Sequence, residues 1–201
     1  MLNKMKLALI GAGASVAFAG AANAVTLDFE GIGAHNTLVT SQYAANGVTF
    51  SNAILEEFAA FATSGDFFIE AASGGTFDAS SPIIATFASA VSMVSINAID
   101  VGGNGAQIIA FDAVTGGNQI ALDDFVGTGN GGGVGSFEVL SVMAAGIRRI
   151  ELSMVSTTLG DTIGFDDLTF DAAVVPLPAG MALLLSGLAA LGLRARRTET
   201  V

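Results

Sequence analysis

Cysteine and tryptophan are absent from the 201 residues, and histidine and tyrosine occur once each. The lack of cysteine excludes disulfides, thiol nucleophiles and zinc–thiolate sites. His35 alone excludes a multi-histidine metal centre, and no G-x-S-x-G elbow is present to complete a serine triad with it. A catalytic cleft also tends to bring Trp, Tyr, His or Arg to hold its substrate. The composition therefore predicts a protein that is not an enzyme and has no catalytic residues.

Positive charge is scarce between the two ends of the chain. Five of the seven Lys and Arg residues lie in the first six or last eight positions, and only Arg148 and Arg149 lie between them. Positions 25–174 also hold 17 acids, so their net charge is −15. Such a surface repels phosphate, and no nucleic-acid partner is expected. The charge suits a protein that lives with calcium or in salty water, and a simple need for solubility explains it as well.

The amino end has the three parts of a secretory signal peptide. Lys4 and Lys6 form a positive region, an apolar stretch follows from Leu7 to Phe18, and Ala22-Asn23-Ala24 fits an A-x-A cleavage site. The good cleavage site and the Gly- and Ala-rich stretch disfavour an uncleaved membrane helix. We therefore expect residues 1–24 to be removed, with Ala22 and Ala24 directing cleavage, and the remainder to be exported.

The carboxyl end places prolines, an apolar run and a basic cluster in that order. Val175-Pro176-Leu177-Pro178-Ala179 precedes an apolar run from Gly180 to Leu193, and three arginines follow, Arg194, Arg196 and Arg197. A helix that crosses a bilayer needs about 17–25 mostly apolar residues. The segment from position 174 has 20. Prolines are tolerated in a first helical turn, and the arginines stop transfer on the cytoplasmic side. Positions 175–201 are predicted to hold one transmembrane helix and its basic tail.

This tail resembles the carboxy-terminal sorting signal of the PEP-CTERM class, in its VPLPA-CTERM variant. The resemblance covers about Val174 to Arg197, and Leu177 stands where the commonest variant has Glu. It implies processing by an exosortase, an integral membrane protease-transpeptidase of Gram-negative bacteria. It also implies an inner-membrane precursor and a mature protein at the cell surface or outside the cell, associated with extracellular polysaccharide.

Residues 25–174 are left as a single domain, and their composition favours strands. Gly-rich turn signals separate short apolar segments, for which helical periodicity is hard to find. The predicted strands are Val25–Phe29, Val48–Asn52, Phe67–Glu70, Ile83–Phe87, Val91–Ile99, Gln107–Asp112, Gln119–Phe125, Gly135–Leu140, Arg148–Met154 and Gly164–Phe170. The pattern predicts an all-β fold, an antiparallel β-sandwich of jelly-roll type. A parallel β-helix is the alternative, but it would need a fixed-period repeat that the sequence lacks.

Acidic residues in the first and last predicted strands suggest a calcium site. Asp28 and Glu30 lie at one end of the domain, and Asp166 and Asp167 lie at the other. First and last strands of a jelly roll are often neighbours, and calcium takes six to eight oxygen ligands. The pattern resembles that of calcium-containing jelly-roll carbohydrate-binding modules, which implies Glu30 and Asp167 as the foremost ligands, with Asp28 and Asp166 second. The alternative is that these acids cap strand ends and face solvent.

Tyr43 is a candidate for stacking on a sugar ring. It begins the pattern Y-x-x-x-G-V-x-F, in which Asn46-Gly47 is a strong turn signal before a strand. This pattern after an amino-terminal D-F-E resembles a framework motif of exported PEP-CTERM-type β-proteins. A tyrosine more often packs with its hydroxyl hydrogen-bonded, and the absence of tryptophan removes the usual platform for sugars.

The leading hypothesis is an exported cell-surface or matrix protein with a structural or interaction role associated with exopolysaccharide. A calcium-dependent carbohydrate-binding module is the alternative, and a glycoside hydrolase using paired carboxylates is third. The expected partners are an exosortase, extracellular polysaccharide, and the membrane before processing. Calcium is the one cofactor that the pattern suggests.

Overall fold

Eleven strands make up the part of the chain that the computed structural model describes, residues 24–129, 136–158 and 162–171. In that part the one helical element is a 3-10 turn, Ala44–Asn46. In chain order the strands are β1 Ala24–Leu27, β2 Leu38–Val39, β3 Val48–Ser51, β4 Ala53–Glu57, β5 Phe67–Ser73, β6 Thr76–Phe77, β7 Ile83–Ile99, β8 Ala106–Phe111, β9 Gln119–Phe125, β10 Phe137–Met154 and β11 Gly164–Asp171. All of their pairings are antiparallel.

Two long strands, β7 and β10, run through both layers of the domain. The first layer has the order β2-β4-β5-β11, followed by the second half of β7 and the first half of β10, with β1 on β11. The second layer has β3 on the first half of β7, followed by the second half of β10, β8 and β9. Each long strand therefore ties the two layers together.

The long strands bend where they leave one layer for the other. The pairing of β10 with β7 shifts register between Met143 and Ile147, and again between Ile147 and Arg149. Gly146 lies within this bulge at φ +87°, a conformation that a side chain would strain. Bulges of this kind bend a strand and increase its twist. The irregularity lets one continuous strand serve both layers.

Side chains from the inner faces of both layers form a single apolar core. Alternate residues of β8 are buried, namely Ala106, Ile108 and Ala110, as a strand with one inner face requires. The ring of Phe87 in the second layer lies 5.1 Å from the ring of Phe170 in the first. The core therefore joins the layers by direct contact.

The all-β, antiparallel prediction is confirmed, while several strand boundaries were wrong. Ile83–Phe87 and Val91–Ile99 are one strand, because the small residues between them stay extended on an exposed stretch. Gly135–Leu140, from Phe137 onward, and all of Arg148–Met154 likewise belong to one strand, β10. The prediction missed β4, because its sequence does not alternate and both of its faces are covered at one end. Asn52, at φ +57°, makes the tight turn that carries the chain from β3 in one layer to β4 in the other.

The predicted signal peptide and sorting tail lie outside the described residues, apart from Ala24, which opens β1. Ala22, the sorting motif Val175 to Ala179, and the three tail arginines are all outside the described ranges. Within those ranges, no helix has the length and apolar character to span a membrane. The sorting assignment stays a prediction.

Candidate functional site

The loop 58–66, between β4 and β5, is held against the end of β11 by two aspartates. The main-chain N–H groups of Thr63 and Ser64 donate to Asp166 Oδ2 over 2.8 and 3.0 Å. The Ser64 hydroxyl donates to Asp167 Oδ1 over 2.7 Å. The Thr63 hydroxyl lies 2.9 Å from Asp166 Oδ2 and 2.8 Å from Asp167 Oδ2, and Asn97 Nδ2 donates to Asp167 Oδ2 over 3.1 Å. Two adjacent acids therefore bind one loop through several oxygens.

Adjacent residues of a regular strand point to opposite faces, so Asp166 and Asp167 need an irregularity to act together. The pairing of β11 with β7 shifts register between Asp166 and Thr169, and Asp167 adopts φ +51°. This local departure turns both carboxylates toward the loop. Asp166 is fully buried, and its burial raises its pKa against the opposing effect of the hydrogen bonds from Ser64 and Thr63.

Glu30 binds the carboxyl end of the same loop, where it joins β5. Its Oε1 accepts the main-chain N–H groups of Asp66 and Phe67 over 2.7 and 2.8 Å. Asp28 Oδ1 accepts the Glu30 N–H over 3.2 Å and so supports the turn after β1. We call Glu30, Asp166 and Asp167 the carboxylate clamp. The clamp fixes the carboxyl half of a loop that contributes side chains to the cleft described below.

The structure thus brings the predicted calcium ligands to one region and gives their oxygens protein donors. Among the residues that the structure describes, no group of three or more His, Asp or Glu side chains is arranged to hold a metal ion. A calcium ion at Asp166 or Asp167 would have to replace hydrogen bonds from Thr63 and Ser64. Calcium binding by Asp28, Glu30, Asp166 and Asp167 stays a prediction.

Tyr43 belongs to the core, which corrects its assignment as a sugar-stacking residue. Its side chain is 8% exposed, and its ring packs edge-on against Phe29 at 5.7 Å and Phe50 at 6.2 Å. Burial, followed by the nearby charge of Asp28, raises the pKa of the Tyr43 hydroxyl. Within the described residues that hydroxyl has no hydrogen-bond partner at ordinary distance. A buried ring offers no face to a saccharide, so the motif around Tyr43 is framework.

An open cleft of about 200 Å³ lies beside the loop, on the outer face of the first layer. Phe58 and Phe61 from the loop form one wall, with ring centroids 5.1 Å apart. Phe58 is 53% exposed, so one ring face is free to meet a ligand. The other lining residues are Glu56, Phe68, Glu70, Ile99, Asp100, Thr162 and Gly164.

The acids of the cleft come from adjacent strands by register. In the β4–β5 pair, Glu56 lies opposite Phe68 and Ile54 lies opposite Glu70, so both glutamates share one face. Burial raises the pKa of Glu70 to about 7, and the charge of Glu56 adds to the effect. His35 Nδ1 lies 3.1 Å from Glu56 Oε2, at the solvent side of the pair. His35 is therefore half-exposed and paired with an acid of the cleft.

Gly164 sets the depth of the cleft beside Phe68. A Cβ atom at position 164 would lie 2.5 Å from Phe68 Cδ2, too close for any real contact. The absence of a side chain therefore lets the Phe68 ring lie flat against β11. Sequence reasoning missed this cleft because its parts come from two strands, a loop and two strand ends. The one available signal was the pair Phe58 and Phe61 in a polar loop, since exposed aromatics mark binding surfaces.

No protein-family model matches the chain, and no curated protein sequence matches it. Among solved structures, the K2 cleaved adhesin domain of Lys-gingipain is similar with a TM-score of 0.51 and 13% identity, covering 74% of this chain and 99% of that one. A family 29 carbohydrate-binding module has a TM-score of 0.42 and 12% identity over 78% and 100% of the two chains. The tandem CBM22 domain of Xyn10C from Paenibacillus barcinonensis has 0.42 and 13% over 74% and 50%. The likeness to the adhesin domain shows a shared fold.

Proposed function

We propose that the chain is an exported, non-catalytic binding module that takes a saccharide unit of an extracellular polysaccharide in the cleft beside loop 58–66. The observation that carries this proposal is the half-exposed ring of Phe58, set beside Phe61 and half-buried carboxyl groups. Small-molecule sites are concave and largely apolar, with a few polar groups that fix orientation. The cleft is concave and has an aromatic wall, and the carboxyl groups of Glu56, Glu70 and Asp100 are its orienting polar groups.

Each part of the cleft meets one need of a sugar ligand. The apolar face of a pyranose ring packs on an aromatic face, and Phe58 presents one. The hydroxyl groups of the ring donate to carboxylate oxygens, which Glu56 and Asp100 supply at the cleft wall. The clamp holds the carboxyl half of the loop, and the main-chain bond from the Phe58 N–H to the Asp66 carbonyl ties the amino end to it, so the aromatic wall is formed before ligand arrives. Preorganisation of this kind lowers the entropy cost of binding.

The route to the cell surface is part of the same proposal. Export through the signal peptide, anchoring through the apolar tail and processing by an exosortase would put the cleft outside the cell, where polysaccharide is found. The absence of cysteine is compatible with such a route because the core and the clamp stabilise the domain without disulfides. Calcium bound near the clamp would add stability there, and its removal is one arm of the test.

A polysaccharide array tests the proposal with a matched pair of variants. Phe58→Ala is expected to weaken glycan binding at least tenfold. Leu122→Ala, which removes a side chain of similar exposure from β9 in the second layer, is expected to leave binding unchanged. Equal losses in both variants, or no binding to any glycan by the wild type, would leave the structural-role alternative. A chelator arm reports on calcium, and hydrolysis of a bound glycan would contradict the non-catalytic assignment.

A further inference from the structure

No basic residue is among those that line the cleft in the described part of the chain. Lysine and arginine are limited to Arg148 and Arg149 in the described part of the chain, and neither lines the cleft. Arg149 pairs with Glu151 at 3.3 Å and lies 4.1 Å from the centre of the Phe111 ring, in the second layer. The cleft therefore has three carboxyl groups, two exposed or half-buried phenylalanine rings and no fixed cation.

Glu70 is an acid of the cleft whose pKa is raised, first by burial and then by the charge of Glu56. It lies diagonally from Glu56 on the same face of the β4–β5 pair, and Asp100 follows the end of β7 on the same cleft. His35 reaches Glu56 from the solvent side and is the one basic group near the pair. The remaining lining groups from the loop and β11 are Phe58, Phe61, Thr162 and Gly164, which carry no charge. A cation that entered the cleft would meet carboxylates on two sides and an aromatic face on a third.

Building on the proposed function, we propose that the cleft selects polysaccharide whose sugar units carry protonated amino groups, over neutral and uronic-acid polysaccharide. An ammonium group beside Glu56, Glu70 and Asp100 gains charge-assisted hydrogen bonds in a partly desolvated site. The same cation gains attraction from the face of Phe58. A uronate would instead bring a fourth carboxylate into a cleft without a cation, and like charges at short range oppose binding.

Binding of a cationic sugar has a proton signature that a neutral sugar lacks. The pKa of Glu70 is about 7 in the free protein, so most of this group is protonated at pH 6. An ammonium ion favours the ionised form of a nearby carboxyl, so Glu70 gives up its proton to the buffer when the ligand enters. The released proton makes the observed binding enthalpy depend on the ionisation enthalpy of the buffer. A neutral glycan leaves Glu70 protonated and releases no proton.

Titration calorimetry of the full chain in mild detergent at pH 6 tests this selection with three probes of equal length. They are a β-1,4-linked glucosamine oligosaccharide, its fully N-acetylated form and an oligogalacturonate. The glucosamine probe is expected to bind at least tenfold more tightly than the acetylated probe, with the galacturonate weakest. Proton release, measured in two buffers, is expected only with glucosamine. Both the preference and the release should be lost in Glu70→Gln.

Glu57→Gln is the matched control, because Glu57 is an exposed acid on the adjacent strand β4 and does not line the cleft. If the acidic surface as a whole attracted the cationic probe, Glu57→Gln and Glu70→Gln would weaken it equally, which would overturn the selection. Equal or tighter binding of the acetylated probe by the wild type would overturn it too, while the proposed function would stand. Binding of none of the probes, with Phe58→Ala indistinguishable from wild type on the array, would defeat the proposed function itself. Should Glu70→Gln fold poorly, Asp100→Asn tests the preference instead: it should weaken glucosamine binding while the proton release from Glu70 remains.

Discussion

Single residues in this domain act through the surroundings that the fold gives them. Asp166 and Glu70 are both carboxyl groups with raised pKa values, yet they differ in their partners. Asp166 accepts hydrogen bonds from main-chain N–H groups of the loop, which favour its ionised form. Glu70 has burial and the like charge of Glu56 against ionisation. Asp166 therefore stabilises the position of the loop, while ionisation of Glu70 lowers the free energy of unfolding.

Because ionised Glu70 destabilises the folded state, Glu70→Gln is predicted to stabilise the protein at neutral and alkaline pH. The pKa of Glu70 rises from an ordinary 4.5 to about 7 on folding. Between these two values the folded state binds more protons than the unfolded state, so stability from this group falls as pH rises. A shift of this size corresponds to at most about 3 kcal/mol. Urea unfolding of the variant should match wild type below pH 4.5 and exceed it by about 1–3 kcal/mol above pH 7.

Glu57→Gln serves as the comparison, because it removes one negative charge from an exposed site on the adjacent strand. If that variant reproduced the whole gain, the general repulsion of an acidic protein would explain it and the buried position of Glu70 would not.

At the scale of elements, the loop 58–66 depends on strands that are remote from it in sequence. Asp166 lies 103 positions after Thr63, and Glu30 lies 36 positions before Asp66. The loop has some order of its own, since the N–H groups of Phe61 and Ala62 donate to the Phe58 carbonyl over 2.9 and 3.2 Å. Its attachment to the sheet comes from the clamp. Loss of a clamp residue should therefore also change the shape of the cleft.

Asp166→Ala is predicted to release the loop and to weaken ligand binding without any contact to ligand. Loss of a buried acceptor leaves the N–H groups of Thr63 and Ser64 unpaired, at a cost of about 2–4 kcal/mol in unfolding free energy. Hydrogen exchange at these two amides should accelerate in the variant. Asp167→Ala is the matched comparison, because Asp167 accepts from side chains of the loop and leaves both amides bonded to Asp166. Equal exchange in the two variants would contradict the division of roles.

At the scale of the whole molecule, the high negative charge and the lack of disulfides make stability depend on the ions in solution. The location of the protein depends on the predicted sorting signals. Six of the sixteen described acids lie at the clamp or the cleft, and Arg149 pairs with Glu151 in the second layer. Electrolyte should stabilise such a protein in general by screening. Calcium would act beyond screening only where carboxylates bind it directly.

Millimolar calcium is predicted to raise Tm by several degrees through the clamp. Ligand at 100 times its Kd adds about 2.7 kcal/mol, and each kcal/mol moves the Tm of a domain of this size by roughly 2–4 °C. The increment should be far smaller in Glu30→Ala or Asp167→Ala, each compared with its own calcium-free Tm. Sodium at matched ionic strength is the control. Equal increments in sodium and calcium would assign these acids to loop anchoring alone.

Changes in the tail are predicted to leave unprocessed precursor in the inner membrane. Replacing Pro176 and Pro178 with Ala removes the motif, and deleting residues 194–201 removes the stop that the arginines provide. Fractionation with immunoblotting reports where each variant resides and at what length. Normal mature protein outside the cell after either change would defeat the sorting assignment.

The sequence by itself determined the strand-rich, antiparallel class, because alternation, Gly-rich turns and the lack of helical periodicity are local properties. It also indicated that Asp28, Glu30, Asp166 and Asp167 would lie near one another, and the structure attaches three of them to one loop. Only the tertiary structure decided what those acids bind, since their partners Thr63, Ser64 and Asp66 come from a segment without a strong pattern.

The tertiary structure also decided which aromatic residues face solvent. Tyr43 was a candidate for sugar binding because it begins a turn motif and is the one tyrosine in the sequence. Packing against Phe29 and Phe50 nevertheless buries it. Phe58 stands in an unremarkable loop and is left half-exposed over the cleft. Burial is a sum over contacts from many segments, and register places Glu56 beside Glu70 only once β4 and β5 have paired. Local sequence sets which residues can form a strand, and the packing of strands and loops sets which side chains remain available to a ligand.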